Sequence, residues 1–411
     1  MEEYAEYCLA VTIHSVAPDL EDPPLNREPH DILGISPLNE PNLIYQQYLG
    51  QEAAVDKYIE MLRTVGQRIK QHPDPRVSNV SICAPGITPS LYVSGAIGYW
   101  MDRVLREAPD YVDIIIWDQY SKYMLEELAS WADDVDEVQA IMSDLGEERP
   151  IGLSEFGIHG GIPTIQEFYG SSYSKLFVFG AMANSIGAGM AYPIYFTLFD
   201  PTNEPRMKGL ITGSTSLPPF SDLPSYTRKP QFHAMEVMAD ICEGTIMEVS
   251  NPSDQLDVIG STNGSWYRFG ISNRYEADTN ITLDLGRHTK GMIYRVDDDG
   301  RTLIGMGTFA HDLTLRLRPW SLYYIELEDW TDTKPPTIRV REELTVNVSE
   351  PFTLDASDSY DSLGIVNFTW TGVGEDRYGP IVTYTIDEVG TFTIDLTAWD
   401  AAGNNASASI R

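Results

Sequence analysis

Near residue 244 the apolar pattern changes its period, and no other feature of this 411-residue chain constrains its fold as strongly. Before that point, continuous apolar runs alternate with stretches of helical period. The runs are ILGISPLN (32–39), VSNVSICAP (77–85), VDIIIWDQY (112–120), PIGLSEFGI (150–158) and AGMAYPIYFTLFD (188–200). Helical patterns lie between them over 51–71, about 95–107, about 125–146 and 171–186. An amphipathic helix is expected over 1–16, with Tyr4, Tyr7, Cys8, Val11 and Ile13 roughly on one face. Continuous apolar runs mark parallel strands buried on both sides, and repeated βα units build a parallel sheet or an α/β barrel.

A helical stretch over 229–244 closes this region at Gly244. Beyond it the period becomes two: QLDVIG, SWYRFGIS, NITLDL, GMIYRV, LTLRLRP and SLYYIEL are separated by Asn, Asp and Gly turns. Residues 245–330 are therefore expected to form an antiparallel β-sandwich. A charged, Pro-bearing linker, DWTDTKPPT (329–337), precedes a second set of alternating strands over 331–411. Their density predicts a small immunoglobulin-like sandwich.

Composition fits a globular chain: 42% apolar, 22% charged and 11% aromatic residues. The charge is less ordinary, at −33 from 61 acidic and 28 basic side chains. Such a chain repels phosphate backbones and anionic headgroups, so neither a nucleic acid nor a membrane is an expected partner. No apolar run approaches the roughly 18 residues of a membrane span. Cys8, Cys83 and Cys242 lack metal-ligand spacing and read as free thiols, so no metal and no cofactor is expected.

An α/β barrel places its chemistry at the C-terminal ends of its strands. The first run ends in Ser36-Pro37-Leu38-Asn39-Glu40-Pro41-Asn42, and the fourth contains Ser154-Glu155-Phe156-Gly157. Each puts a carboxylate at such an end. Retaining hydrolysis of a glycosidic bond needs such a pair about 5–5.5 Å apart, one as acid and base, the other as nucleophile. Either Glu alone reads equally well as a solvated loop residue or a structural ion-pair partner.

With Asn39-Glu40-Pro41 on one strand and Glu155 three strands later, the chain resembles the large clan of retaining glycosidases on (β/α)8 barrels. The resemblance implies Glu40 as acid/base, Glu155 as nucleophile, and Asn39 as the donor to a sugar 2-hydroxyl. Asp118-Gln119-Tyr120 resembles the clan's sixth-strand motif, in which the Tyr hydroxyl touches the nucleophile. Phe196 stands where the clan usually has a Trp sugar platform, and His159 is a candidate for lining the cleft, or a turn residue. Arg228-Lys229-Pro230-Gln231-Phe232-His233-Ala234 resembles the last barrel helix. The sandwich at 245–330 resembles the accessory domain that often packs on these barrels.

The same alignment leaves only about five βα units in residues 1–244, an incomplete TIM-type (β/α)8 barrel. The chain is therefore expected to be part of a longer protein, which also accounts for the lack of a visible signal peptide. The final module resembles a polycystic-kidney-disease (PKD) domain. The matching residues are Pro351-Phe352-Thr353-Leu354-Asp355-Ala356-Ser357-Asp358-Ser359, Phe368-Thr369-Trp370, and Ala398-Trp399-Asp400. Such domains are usually extracellular spacers or adhesion modules.

The expectation is a multi-domain α/β plus β protein: a secreted or cell-surface retaining glycoside hydrolase with a carbohydrate substrate. Its PKD module is expected to contact cell-surface or matrix glycans. The alternative is a non-catalytic, carbohydrate-binding or adhesion protein on a degenerate barrel. Carboxylate geometry separates the two. Asp297-Asp298-Asp299-Gly300 reads as a β-turn rather than a calcium loop.

Overall fold

The computed structural model describes residues 1–20, 32, 34–88, 96–121, 125, 128, 130–158, 172–195, 228–251, 253–309, 311–330, 332–362 and 364–411. The first part is mainly helical: α1 (Glu2–Val16), α2 (Pro41–Leu49), α3 (Gln51–Lys70), α4 (Pro75–Ser78), α5 (Ala96–Glu107), α6 (Ser130–Leu145), α7 (Ser172–Gly187) and α8 (Pro230–Cys242). Among them run β1 (Cys83–Ile87), β2 (Ile114–Ser121), β3 (Ile151–Ile158) and β4 (Tyr192–Tyr195). These four pair in parallel in sequence order, as βα units dictate.

The 32–39 run is reduced from the expected strand to one parallel bridge, Ile35 to Ile82. Ile35 N donates to Ser81 O and Cys83 N donates to Ile35 O, at 2.9 and 2.8 Å. Pro37 has no N–H with which to extend that ladder. Helix α1 forms as expected, but its buried residues are Ala5, Cys8 and Thr12, while Tyr7 and Val11 face solvent. Small side chains line the face packed on α3, so the helix sits close and its larger apolar residues turn outward.

Alternation along β2 divides the sheet faces. Ile115 and Trp117 join the core beneath the helices, with Tyr58, Leu62, Trp100, Val104, Val135 and Leu153. Ile114 and Ile116 pack on the opposite face with Cys83 and Tyr192. Asp118 and Tyr120 continue the Ile114 and Ile116 register toward the strand's C-terminal end.

The next strands are β5 (Thr245–Met247), β6 (Leu256–Thr262), β7 (Trp266–Asn273), β8 (Thr279–Asp284), β9 (Thr289–Asp297), β10 (Gly300–Phe309), β11 (Asp312–Leu317) and β12 (Ser321–Asp329). They form a six-stranded sheet ordered β10-β9-β12-β7-β6-β5 and a two-stranded sheet, β11-β8. The antiparallel sandwich is as expected, and Asp298 and Asp299 make the turn between β9 and β10. Strand β10 itself was not foreseen. On β12, Tyr323, Ile325 and Leu327 fill the space between the sheets, whereas Leu322 and Tyr324 belong to the core of α7 and α8. The large sheet is thus buried on both faces, and its middle strand reads as a continuous apolar run.

The last strands are β13 (Phe352–Asp355), β14 (Ile365–Thr371), β15 (Arg377–Tyr378), β16 (Ile381–Tyr384), β17 (Ile394–Asp400) and β18 (Asn405–Ile410). Sheets β13-β16 and β15-β14-β17-β18 enclose a separate core around Trp370, whose indole N–H donates to Gly379 O at 2.9 Å. Among the described residues, no helix is long and apolar enough to cross a membrane.

Candidate active site

Glu40 sits at the N-cap of α2, with Pro41 in the first helical position. Its backbone is left-handed, φ 48°, a conformation that costs a non-glycine residue about 1–3 kcal/mol and persists only where its surroundings fix it. Here they do. Glu40 N donates to Gly86 O at 2.8 Å, while Leu43 N and Ile44 N both return to Glu40 O. Asn42, fully buried, clamps the end of β1 with its amide, donating to Thr88 O at 2.6 Å and accepting from Thr88 N at 3.1 Å. From α1, the Tyr4 hydroxyl donates to Pro37 O.

Gly86 is needed at this junction. Its φ is +62°, and a Cβ there would stand 3.2 Å from Ser36 Oγ and 3.3 Å from Leu38 O. The Glu40 loop can approach β1 because this position has no side chain.

Glu155 lies on β3, and the register explains its orientation. Trp117 pairs with Leu153 and Asp118 with Glu155, so Ser154 is the extra residue of a bulge. Bulges beside functional sites re-aim a side chain. Glu155 here faces Tyr120, whose hydroxyl donates to its Oε2 at 2.5 Å. Ser154 turns sideways, its hydroxyl donating to Asp118 Oδ1 at 2.7 Å.

Electrostatics tie the two glutamates together. The Glu40 carboxyl is pushed above the usual range, first by burial and then by the negative charge of Glu155. The Tyr120 hydroxyl is also driven upward, first by burial and then by its bond to Glu155, so it remains a donor. Asp118, wholly buried, is raised to about 7, chiefly by burial and further by Glu155 and Glu40. Among the described residues, no Lys or Arg forms an ion pair with Glu40 or Glu155. An Arg partner would have favoured a purely structural role.

Of the residues singled out in the sequence, the structure joins Tyr120 to Glu155 by a hydrogen bond, and the charge of Glu155 reaches Glu40. Asn39 precedes Glu40 and is exposed. Phe196 and His159 lie outside the described residues. Tyr195 is a packing residue, half-buried with its ring edge-to-face on Phe156 at 5.2 Å. Sequence reasoning missed Asn42, Gly86, Ser154 and the role of Asp118. The adjacent Ser154-Glu155 pair and the glycine after cis-linked Pro85 were their only local signals.

Elsewhere, the carboxylates of Asp332, Asp361 and Asp400 come within 4.8 Å of one another, at the start of the last module. Ser362, the Lys334 amide and Asn404 donate to this group. Clustered acids alone do not identify a metal centre.

Residues 338–410 match the PKD domain family model. No curated protein matches the chain in sequence. Solved structures match in fold. An α-L-arabinofuranosidase from Thermotoga maritima is 14% identical at a TM-score of 0.58, the match covering 79% of this chain and 73% of that one. A glucosidase from Croceicoccus marinus is 13% identical at 0.55, covering 80% and 74%. A GH30 endoxylanase from Clostridium papyrosolvens is 14% identical at 0.52, covering 80% and 71%. The chain therefore carries the α/β-plus-sandwich fold of these glycoside hydrolase structures, followed by a PKD domain.

Proposed function

We propose that this protein is a glycoside hydrolase that cleaves O-glycosidic bonds of an oligo- or polysaccharide with retention of configuration. The observation that carries the reading is the coupling of Glu40 to a Glu155 oriented by Tyr120, at the strand ends of an α/β sheet. Glu155 attacks the anomeric carbon while Glu40, whose proton affinity is raised, protonates the departing oxygen. Glu40 then takes a proton from water, which releases the sugar from Glu155. In this reading the amide of Asn39, which precedes Glu40 and is exposed, donates to the 2-hydroxyl of the bound sugar.

Arabinofuranosidase, xylosidase and glucosidase structures share the fold, so 4-nitrophenyl arabinofuranoside, xyloside and glucoside are the first substrates to try. The acidic surface and PKD module support a location outside the cell, with the PKD module contacting glycans there. Glu155→Gln should abolish turnover of whichever glycoside is cleaved, and Glu40→Gln should lower it by about 10²–10⁴-fold. Proton NMR of the first product should show the substrate's anomeric configuration. A folded wild-type protein that binds polysaccharide yet cleaves no glycoside would replace this reading with the non-catalytic one.

A further inference from the structure

A cleft of about 720 Å³ opens where the sandwich meets the α/β part, within the usual size range of small-ligand sites. Leu125 lines it from the α/β side, and Asp254, Gln255, Tyr275, Glu276 and Trp320 line it from the sandwich. Buried polar groups hold its walls. Fully buried Asn273 accepts from Tyr275 N at 3.0 Å and donates to Ala277 O at 3.1 Å and Arg318 O at 2.8 Å. One amide thus fixes both the 275–277 loop and the turn that carries Trp320. Arg274, paired with buried Asp257, donates to Leu125 O at 2.6 Å and to Asp254 O, tying the loop after β2 to the sandwich.

Trp320 is the residue that the turn explains least. Pro319 and Trp320 make the turn between β11 and β12, and Trp320 has φ 50°. Where a Pro-led turn needs a positive φ, Gly or Asn is the usual occupant, and a bulky side chain is an outlier. Such strain clusters at active sites and ligand clamps. The Trp320 ring packs on Tyr173, centroids 4.9 Å apart, yet stays part-exposed. Among the described residues, neither its indole N–H nor the exposed side chains of Asp254, Gln255 and Glu276 make a hydrogen bond. An aromatic face ringed by such groups suits a sugar, whose C–H face is apolar and whose hydroxyls want donors and acceptors. Asp254 and Glu276 make the mouth negative, which repels a uronic-acid polymer. The cleft also lies toward the catalytic end of the α/β part. Leu125 follows the Tyr120 end of β2, and Tyr173 stands in the first turn of α7, the helix after β3. Resting on the glycosidase reading, we propose that this cleft binds a stretch of neutral polysaccharide beyond the sugar being cleaved, with Trp320 as its stacking platform.

Affinity electrophoresis of Glu155→Gln tests the site, with arabinoxylan, xyloglucan and mixed-linkage glucan as neutral probes and polygalacturonate as the anionic one. At least one neutral polymer should retard the protein, and polygalacturonate should not. Adding Trp320→Gly, which gives the turn its preferred residue, should weaken that binding by about tenfold or more. The retarding polymer should also protect Trp320 from N-bromosuccinimide oxidation, read by peptide mass spectrometry, whether or not the variant folds. With Glu155 intact, W320G should lower kcat/KM more on that polymer than on the 4-nitrophenyl glycoside. Equal loss on both substrates, oxidation of Trp320 that no polymer slows, or retardation by polygalacturonate alone would each overturn the proposal. A wild type that cleaves no glycoside yet is retarded through Trp320 would bring down the catalytic reading while supporting the cleft as a polysaccharide site.

Discussion

At the scale of single residues, the site is built from groups held away from their ordinary states. Glu40 has a left-handed backbone and a raised proton affinity, while Asp118 is buried with no counter-charge among the described residues. Asp118 also bears on stability, and the sign can be worked out. Its folded-state value, about 7, lies above the unfolded value near 3.9, so the native state binds more protons between the two. Stability is then full below the unfolded value and is lost as pH rises toward 7. Asp118→Asn should therefore stabilise the protein by about 2–4 kcal/mol at pH 8 and have little effect at pH 4. Urea unfolding at the two pH values measures the difference. An equal effect at both would mean that folding leaves the titration of Asp118 unshifted.

At the scale of elements, the position of Glu40 depends on hydrogen bonds between chain segments rather than on helix propensity. Helix α2 is only nine residues long, and its N-cap side chain makes no capping bond. The Asn42 amide, bonded at both ends to the Thr88 backbone, ties it to β1. Asn42→Ala leaves a buried N–H and C=O unsatisfied, which should lower stability by about 2–4 kcal/mol. It should also lower turnover by releasing the Glu40 loop. Denaturant unfolding with single-turnover rates would check both, and unchanged turnover would show that the loop is fixed elsewhere.

The sandwich is joined to the α/β part at this scale too. Asp257, buried on β6, accepts from Asn184 of α7 at 2.9 Å and from Ser272 of β7 at 2.5 Å. It also lies 3.1 Å from the Arg274 guanidinium. On the same helix, the buried Lys175 donates to Val296 O of β9 at 2.6 Å. Asp257 and Lys175 thus each have a partner on the other side of the interface.

At the scale of the whole molecule, the apolar packing of the α/β part and its sandwich is separate from that of the last module. One core runs from the parallel sheet through α7 and α8 to Ile259, Val296, Leu322 and Tyr324 of the large antiparallel sheet. The other surrounds Trp370 and shares no member with it. Scanning calorimetry should therefore show two transitions, one for the α/β part with its sandwich and one for the PKD domain. Trp370→Ala should lower only the second, by about 3–5 kcal/mol. If W370A moves both transitions together, the two bodies fold as one unit.

Local pattern carries most of the fold because local rules are short-ranged. The apolar runs of β2 and β3, the period of α3, α5, α6 and α7, and the alternation of β6, β7 and β12 need only sequence neighbours to be read. Glu155 and Tyr120, which the structure joins by a hydrogen bond, were singled out for a related reason: strand ends are where this architecture gathers its chemistry. The run at 32–39 was misread as a strand, because only the approach of Ser81 and Gly86 shows that the chain bridges once and then turns.

By itself, therefore, the sequence determined the order of elements, the change from parallel to antiparallel sheet and the PKD core. Tertiary structure alone decided that Ser154 bulges, that Asp118 is buried opposite Glu155, and that the sandwich shares a core with α7 and α8. The reason is physical. Periodicity records which face of an element avoids water, whereas register, burial of a charge and the partner of a lone oxygen depend on segments distant in sequence.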